Sequence, residues 1–437
     1  MLQSTKKDNQ KSLFFTLEDS LNQKHPLYVL SHQVDWAMFE REFSPLYSLD
    51  NGAPAKPIRL MVGLLILKHV RNLSDESVVE QWSENIYYQY FCGRQEFVPA
   101  APCASSELVH FRHRIGIAGC ELILKESIRI CGKDGDEENL SADTTVQEKN
   151  ITYPTDNKLH RTIIKKCKKI ANAEGIKLRQ SYTHTLKKLG IEQRFSRHPK
   201  NKKRAKSANR KVRTIAGRLV RELERTLPQG HRYYSLLDLF RKVLLQTRNS
   251  KHKIYSLHEP QVHCISKGKE HKKYEFGNKV SILYTQNTGI IVGAISFGNE
   301  YDGHTLDESL EQYKRLKGTV PKNVFADRGY VGKTKIGDTQ ILTPQPFSKK
   351  LTQYQQQKRR KSHKRRAAIE PIIGHLKQDH RLSRNFYKGD FGDAINVLLA
   401  AAAFNFKHMI NKYKKNITIL FEKIKAILFI VNPKMAF

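Results

Sequence analysis

The dense block of positive charge at residues 158–255 is the feature that most constrains how this chain can fold. The block carries 29 Lys and Arg residues against 5 Asp and Glu residues, a net charge of +24. The stretches LVRELERTL and YYSLLDLFRKVLLQ have helical spacing, whereas the centre, RHPKNKKRAKSANRKVR, has too few apolar residues for a core. We therefore predict a basic helical insert that interrupts a separate core.

Segments with strand character lie on both sides of this insert. Before it, residues 142–146 are rich in β-branched side chains and suit a short strand. After it, two β-rich runs surround Asn287-Thr288-Gly289, which is a hairpin turn signal. A helix ending at Gly318, the strands NVFADRGY and TQILTP, and the Ala-rich helix DAINVLLAAAAFNFKHMI follow. This order predicts an α/β fold in which helices pack on a mixed sheet.

Residues 1–135 are predicted to form a separate all-helical domain. One helix begins after Pro57, a second is capped by Ser74 and extends to about Phe91, and a third begins at Ser105 or Ser106. Helices joined by short turns suit a helix-turn-helix-like DNA reader, and they suit a dimerisation module equally well.

The overall charge indicates a polyanionic partner. The chain has 77 Lys and Arg residues against 42 Asp and Glu residues, a formal net charge of +35. A chain this basic repels itself unless a polyanion binds it, and nucleic acid is the usual one. A ribosome-associated protein, a membrane surface and an acidic protein partner are the alternatives. We expect double-stranded DNA.

Several classes of protein are excluded by pattern. Six scattered cysteines without a C-x-x-C pair argue against a structural zinc site and against a disulfide scaffold. The first 15 residues lack the apolar core of a signal peptide. The apolar stretch at residues 417–431 contains Glu422, Lys423 and Lys425, so we interpret it as a packed amphipathic helix and not as a membrane span. We expect a cytoplasmic location.

Two aspartates are predicted to end strands. Asp143 lies in the strand before the insert, and Asp327 lies in VFADRGYVGK, where Asp-Arg-Gly taken alone is only a turn signal. A further aspartate, Asp302 in YDGHTL, could lie near these two, but Asp-Gly before a helix that Thr305 can cap favours a loop and a cap.

A glutamate with apolar neighbours, Glu370 in AAIEPIIG, is the third candidate. Arg366, Glu370 and Lys377 have the spacing of one helix face, and Gly374 on that side leaves room for a ligand. Pro371 predicts a helix boundary or kink near Glu370. Three converging carboxylates would repel one another unless they hold cations, and Mg²⁺ prefers such oxygen ligands. Two Mg²⁺ ions would suit cleavage of a phosphodiester, with Arg366 and Lys377 holding phosphates.

At these residues the chain resembles the bacterial insertion-sequence transposases of the DDE class, in the group named after insertion sequence five. Asp143 in SADTTVQEKNI matches the first aspartate of the family, Asp327 in FADRGY the second, and Glu370 in RRAAIEPIIGHLK the glutamate. The family signature around the glutamate also matches at Arg366 and Lys377. It departs at His363, where the family has Tyr, so a phosphate contact made by that Tyr does not carry over.

The resemblance implies an RNase H-like catalytic core at residues 136–412, which the basic insert interrupts, and a helical tail at residues 413–437. It implies that Asp143, Asp327 and Glu370 bind two Mg²⁺ ions, for which Mn²⁺ can substitute. It also implies a nucleoid-associated homodimer or higher oligomer that binds terminal inverted repeats, hydrolyses phosphodiesters and joins the 3′-OH ends to target DNA. A stand-alone metal-dependent nuclease and a non-catalytic DNA-binding protein remain as alternatives.

Duplex DNA is expected to contact the insert through backbone phosphates. The insert has many cations and no pattern of aromatic residues for stacking on bases. We name Lys202, Lys203, Arg204 and Lys206 as the DNA-binding residues of this block.

Overall fold

The computed structural model describes residues 16–48, 50, 52–196, 198–266, 273–330, 332, 334–344, 352–366 and 368–431. It describes no side chains for residues 358–360, 362–364, 366 and 416–431. The expectation about the first 15 residues therefore lies outside the described chain. Two compact units divide the chain: Met1–Glu148 with Asn278–Phe437, and Lys149–Gly277.

The first unit opens with a series of α-helices. They are α1 Leu17–Ser20, α2 Pro26–Gln33, α3 Trp36–Phe43, α4 Ile58–Val70, α5 Asp75–Glu84, α6 Ile86–Phe91 and α7 Ser105–Cys131.

Local signals explain where several of these helices begin. The helix predicted after Pro57 is confirmed as α4, and the predicted cap at Ser74 is confirmed because the Ser74 hydroxyl accepts a hydrogen bond from the Ser77 amide at 3.0 Å. The prediction that α5 continues to about Phe91 was wrong. Asn85 has extended backbone angles and its side chain caps a new helix by accepting a hydrogen bond from the Tyr88 amide at 3.1 Å.

The N-terminal helices and the sheet of the first unit share one hydrophobic core. All but one of the 13 residues of α4 are buried, as expected for a helix that is apolar on every side. Buried residues of α4 and α7 belong to the same cluster as Val324 and Ala326, which flank the last residue of a sheet strand. These helices therefore pack directly against the elements that follow residue 135.

The strands are β1 Asn139–Lys149, β2 His263–Ile265, β3 Glu275–Thr285, β4 Ile291–Phe297, β5 Asn323–Phe325, β6 Lys335–Ile336, β7 Thr339–Leu342 and β8 Arg384–Asn385. In the first unit their order is β3-β1-β5-β7-β6, with β4 paired to β3 and β8 paired to β1. β1, β5 and β7 are parallel, whereas the β3–β4 and β6–β7 pairs are antiparallel. The predicted mixed sheet is thus confirmed, although the short strands β2, β6 and β8 were not predicted.

Glycine positions mark two predicted boundaries. Gly289 has a positive φ of 72° in the turn between β3 and β4, which confirms the hairpin predicted there. The helix α12 Thr305–Lys317 ends at Gly318, where φ is 73°. Thr305 does not cap this helix, contrary to the prediction. It is the first helical residue, and its hydroxyl donates a hydrogen bond to the carbonyl oxygen of Asp302 at 2.7 Å.

The second unit contains the basic insert and has a hydrophobic core of its own. Its helices are α8 Asp156–Ala173, α9 Thr183–Glu192, α10 Pro199–Thr226 and α11 Tyr234–Leu245. Their apolar stripes form one cluster, and α10 contributes residues such as Ala208, Val212 and Leu219. The prediction of helices is confirmed, but the prediction that the centre of the block contributes no core was wrong, because its small and apolar residues recur on one face of α10.

Three helices complete the first unit: α13 Gln353–Arg366, α14 Ile369–Asp379 and α15 Gly389–Val431. α13 and α14 were not predicted as separate helices, although a boundary near Glu370 was, and that boundary is confirmed. Because Arg366 is the last residue of α13, the expected single helix face shared by Arg366, Glu370 and Lys377 was wrong. The Ala-rich helix is confirmed as α15. The packing predicted for residues 417–431 concerns side chains outside the described ones.

A buried carboxylate joins α15 to three strands. The Asp393 side chain, on α15, accepts hydrogen bonds from Gln147 of β1 at 3.1 Å, from Asn278 of β3 at 2.8 Å and from Asn385 of β8 at 2.6 Å. Asp393 is fully buried, so these amides satisfy a charge that would otherwise be costly.

Candidate active site

Asp143 of β1 and Asp327, two residues beyond the end of β5, are aligned by the pairing of these neighbouring parallel strands. Asn139, Leu140 and Ser141 of β1 pair with Asn323, Val324 and Phe325 of β5, a constant offset of 184 residues. Continuing that offset by two residues places Asp143 opposite Asp327. Side chains two residues apart point to the same face, and adjacent strands lie about 4.8 Å apart.

The two aspartates reach this position differently. Asp143 lies inside β1 and not at its end, so the predicted strand of residues 142–146 was too short. Asp327 follows the end of β5 by two residues. The pairing of the two strands ends at Ser141 and Phe325, just before both carboxylates.

Backbone amides orient both carboxylates. The Thr144 amide donates to Asp143 Oδ1 at 2.7 Å, and the Gly329 amide donates to Asp327 Oδ1 at 2.8 Å. Both side chains are half-buried. The turn predicted from Asp-Arg-Gly is therefore present: Asp327 follows β5, and its side chain accepts a hydrogen bond from the amide of Gly329 within the turn.

A third aspartate lies beside Asp327. A Cβ atom added to Gly329 would be 2.9 Å from Asp327 Oδ1 and 3.4 Å from Asp302 Oδ2, so Gly329 separates the two carboxylates. Lys279 Nζ binds Asp302 Oδ1 at 3.0 Å and the carbonyl oxygen of Glu300 at 2.7 Å. The sequence pattern favoured a loop at Asp302 and predicted no role for Lys279. The available signal was a lysine within the strand run NKVSILY, whose other residues carry no charge.

The side chain of Tyr330 lies among the aspartates. Burial, and then the negative charges of Asp302, Asp143 and Asp327, raise the pKa of Tyr330 well above its ordinary value. Its hydroxyl is buried beside Ser281, whose hydroxyl acts in the opposite direction and lowers the pKa. The phenol therefore stays protonated at neutral pH.

Glu370 is exposed at the second residue of α14. The buried residues Ile369, Ile372 and Leu376 hold this helix on the core, and a Cβ atom at Gly289 would lie 3.6 Å from Ile372 Cδ1. Lys377 is half-buried on the same helix, and no atom lies within 4 Å of a Cβ built on Gly374. The side chains of Arg366 and His363 are outside the described ones.

The acidic residues present the ligand chemistry that Mg²⁺ prefers. Asp143 and Asp327 supply carboxylate oxygens, each oriented by a backbone amide, where two neighbouring parallel strands pair. These features fit a divalent cation between the two aspartates. No group of three His, Cys, Asp or Glu side chains among the described residues is arranged to hold a metal ion, so Glu370 is not assembled with the aspartates.

The basic residues named in the insert are exposed on α10. Lys202, Lys203, Arg204 and Lys206 all have exposed side chains, and Arg204 lies 3.8 Å from Glu192. The buried face of this helix consists of small and apolar residues, so its charged face is open to a ligand.

Comparison with known proteins places the chain in a family. Residues 15–114 match the family described as Transposase domain (DUF772), and residues 243–406 match the family described as Transposase DDE domain. The second match includes Asp327 and Glu370, whereas Asp143 lies between the two matches. An uncharacterised Rhizobium meliloti protein, ORF8 of the nfe locus, is 40% identical over 187 residues, which are 42% of this chain and 90% of that protein. No solved structure matches this chain.

The two family matches together indicate that this chain is a DDE-type transposase, a class of enzyme that acts on DNA. The mixed α/β fold is consistent with this class. No helix among the described residues is long and apolar enough to cross a membrane.

Proposed function

We propose that this transposase binds the terminal inverted repeats of an insertion sequence, cleaves the DNA ends and joins them to target DNA. The observation that carries the proposal is the parallel pairing of β1 with β5, whose constant offset aligns Asp143 with Asp327. The strand order β4-β3-β1-β5-β7, with the basic insert after β1, supports an RNase H-like core of the group named after insertion sequence five.

In this proposal Asp143, Asp327 and Glu370 hold two divalent cations, Mg²⁺ or Mn²⁺. Such ions activate an attacking oxygen and stabilise the leaving oxygen of a phosphodiester. The amides of Thr144 and Gly329 orient the aspartates. Glu370 joins them through a movement of α13 and α14 when DNA binds, and Arg366 and Lys377 then hold phosphates.

The two DNA steps use the same chemistry with different nucleophiles. In the first, a water oxygen bonds to phosphorus and the bond to the 3′ oxygen breaks, which leaves a 3′-OH on the element. In the second, that 3′-OH attacks a phosphodiester of the target DNA, and a target 3′ oxygen leaves. Neither step requires a covalent bond between protein and DNA. We propose that a homodimer or higher oligomer brings the two ends together.

An end-joining assay with Mg²⁺ tests this function. Purified protein should cut duplexes that carry the terminal repeats and join the cut ends to a target plasmid. Asp327→Asn keeps the shape of the side chain but removes its charge, so it should abolish both steps and leave the circular dichroism spectrum and end binding unchanged. Asp307→Asn, at an acidic residue in the first turn of α12, is the control and should retain activity.

The outcomes separate the alternatives. Cutting without joining would identify a metal-dependent nuclease, and binding without cutting would identify a non-catalytic DNA-binding protein. Wild-type cleavage by Asp327→Asn would contradict the assignment of the site.

A further inference from the structure

A second candidate site lies in the first unit, among the N-terminal helices and the segment that leads into α15. It is a pocket of about 700 Å³, a size typical of small-ligand sites. Its lining comes from α4, α5 and α7 and from the chain between Arg381 and Asn396. The site residues named from the sequence are not part of it.

Two buried cations share one carboxylate at the base of this pocket. Lys68 Nζ lies 2.7 Å from Asp75 Oδ1, and the two terminal nitrogens of Arg112 bind the two Asp75 oxygens at 2.8 Å each. The side chains of Lys68 and Arg112 are 2% and 5% exposed. Burial lowers the pKa of Lys68 to about 7, so the group carries one full positive charge in excess only below that pH, where it favours an anion nearby.

Further cations line the pocket without carboxylate partners. Arg381, Arg384 and Lys388 make no salt bridge within the part of the chain that the structure describes. The acidic residues in the lining are Asp75 and Glu76. Three unpaired cations around a cavity are suited to hold phosphate oxygens by charge-assisted hydrogen bonds.

Aromatic rings complete the lining. Phe386 is 58% exposed, and the guanidinium of Arg381 lies 5.6 Å from the centre of its ring. His113 stacks on Phe391 with ring centres 4.8 Å apart. An exposed ring beside unpaired cations is the combination that proteins use to stack a base while holding its phosphate.

We propose that this pocket binds an unpaired nucleotide of a DNA strand, with its phosphate on Arg384 and Lys388 and its base stacked on Phe386. The chemistry of the lining carries this inference. A simple anion would make no contact with the exposed phenyl ring, and an apolar ligand would leave the cations without an anionic partner. A duplex is too wide for the cavity. The choice of DNA over a free nucleotide rests on the proposed function, whereas the pocket itself lies outside the catalytic residues.

Direct binding to short probes tests the pocket. The full chain is titrated in EDTA, so that cleavage does not contribute, with a 5′-phosphorylated dinucleotide, a free deoxynucleoside monophosphate and inorganic phosphate. We expect the dinucleotide to bind most tightly. Arg384→Gln combined with Lys388→Gln should weaken its binding about tenfold or more. Phe386→Ala should weaken dinucleotide binding about tenfold but leave phosphate binding unchanged.

A matched pair of variants controls for the loss of general positive charge. Lys314→Gln combined with Lys322→Gln removes two exposed cations of the same unit outside the pocket, and it should leave dinucleotide binding unchanged. An equal loss in this control, or no saturable binding of the dinucleotide by the wild type, would overturn the proposal. Tight binding of the free nucleotide with none of the dinucleotide would also overturn it, in favour of a small-molecule ligand. Because Asp327→Asn should bind the dinucleotide normally, failure of the catalytic assignment is distinguishable from failure of the pocket.

Discussion

Asp302 and Lys279 form an ion pair directly beside Asp327, and this pair affects how strongly the aspartates attract a cation. The Asp302 carboxylate adds negative potential next to Gly329, while Lys279 offsets part of it. The sequence pattern favoured a loop at Asp302 because Asp-Gly precedes a predicted helix, although a position near the site was left open. The folded chain brings Asp302 next to Asp327.

We predict that Asp302→Asn raises the Mg²⁺ concentration needed for half-maximal DNA cleavage. The variant removes one negative charge near the cation site while Lys279 keeps its positive charge. Saturating Mg²⁺ should restore most of the activity, since Asp143 and Asp327 remain. A Mg²⁺ titration of cleavage measures this, with Asp307→Asn as control. An unchanged half-saturation concentration would show that Asp302 has no part in cation binding.

Asp75 should make the stability of the protein depend on pH in acid. Burial alone would raise its pKa, but hydrogen bonds and charges from Arg112 and Lys68 lower it to about 2. Because its pKa is lower in the folded chain, Asp75 stabilises the fold fully at pH values above 3.8, its ordinary pKa. This stabilisation is lost as the pH falls through about 2, its pKa in the folded chain. This lowering of the pKa corresponds to roughly 2 kcal/mol in the free energy of unfolding.

Asp75→Asn should therefore lower the free energy of unfolding by about 3–5 kcal/mol at neutral pH, because two buried cations lose their partner. Urea unfolding at a series of pH values measures the difference from wild type, which should shrink between pH 4 and pH 2. Glu76→Gln, an exposed neighbour in the same helical turn, should change stability by less than about 1 kcal/mol at any of these pH values. A difference between Asp75→Asn and wild type that stays constant with pH would contradict the assignment.

At the scale of elements, the attachment of α15 to the sheet depends on one buried carboxylate. Asp393 accepts hydrogen bonds from side chains of β1, β3 and β8, which are far apart in the sequence. The Asn396 amide of the same helix also donates to Gln147 Oε1 at 2.7 Å. Such a network holds the helix in one position on the sheet and thereby supports β1, which carries Asp143.

We predict that Asp393→Ala lowers the free energy of unfolding by about 3 kcal/mol or more, because several buried amides lose their acceptor. The matched control is Asp390→Ala, at an exposed residue in the first turn of the same helix. It should cost at most about 1 kcal/mol through the helix dipole. Chemical denaturation measures both. Equal effects of the two substitutions would mean that the network adds little stability.

The second unit, which contains the basic insert, carries most of the net positive charge of the whole molecule. Its core is formed by the apolar faces of the helices, so its many cations are displayed on a folded surface and not on a flexible tail. Cations that grip phosphates contribute to affinity for any duplex but carry no sequence information. End recognition is therefore expected from the N-terminal helices.

Replacement of Lys202, Lys203, Arg204 and Lys206 by Gln should weaken binding to all duplexes alike. Fewer counterions are released per complex, so the slope of log K against log salt should flatten by about 0.9 for each lost contact. Fluorescence anisotropy with terminal-repeat and random duplexes measures both quantities. Replacement of the exposed lysines Lys133, Lys314 and Lys322 of the other unit is the control and should leave the slope unchanged. If the insert variant instead lost only its preference for terminal-repeat DNA, with an unchanged salt slope, the insert would be the part that recognises the ends. The N-terminal helices would then supply the general affinity for duplex DNA.

The sequence by itself determined the elements whose signals are local. The start of α4 after Pro57, the cap at Ser74, the hairpin at Gly289 and the end of α12 at Gly318 each depend on a few neighbouring residues. The same holds for the helical character of the insert, because apolar residues recur at helical spacing even within a dense block of charge. The order of carboxylates along the chain sufficed to suggest the family.

Tertiary structure alone decided which of these elements meet. The register that sets Asp143 opposite Asp327 depends on pairing between strands 184 residues apart, and no local signal encodes that alignment. Because α13 ends at Arg366 and α14 begins at Ile369, the single helix face predicted from residue spacing does not exist. The contact of Lys68 and Arg112 with Asp75 likewise exists only because α4, α5 and α7 pack into one core. Local propensity acts over a few residues, whereas burial and strand pairing select among distant partners, and that selection is what assembles both candidate sites.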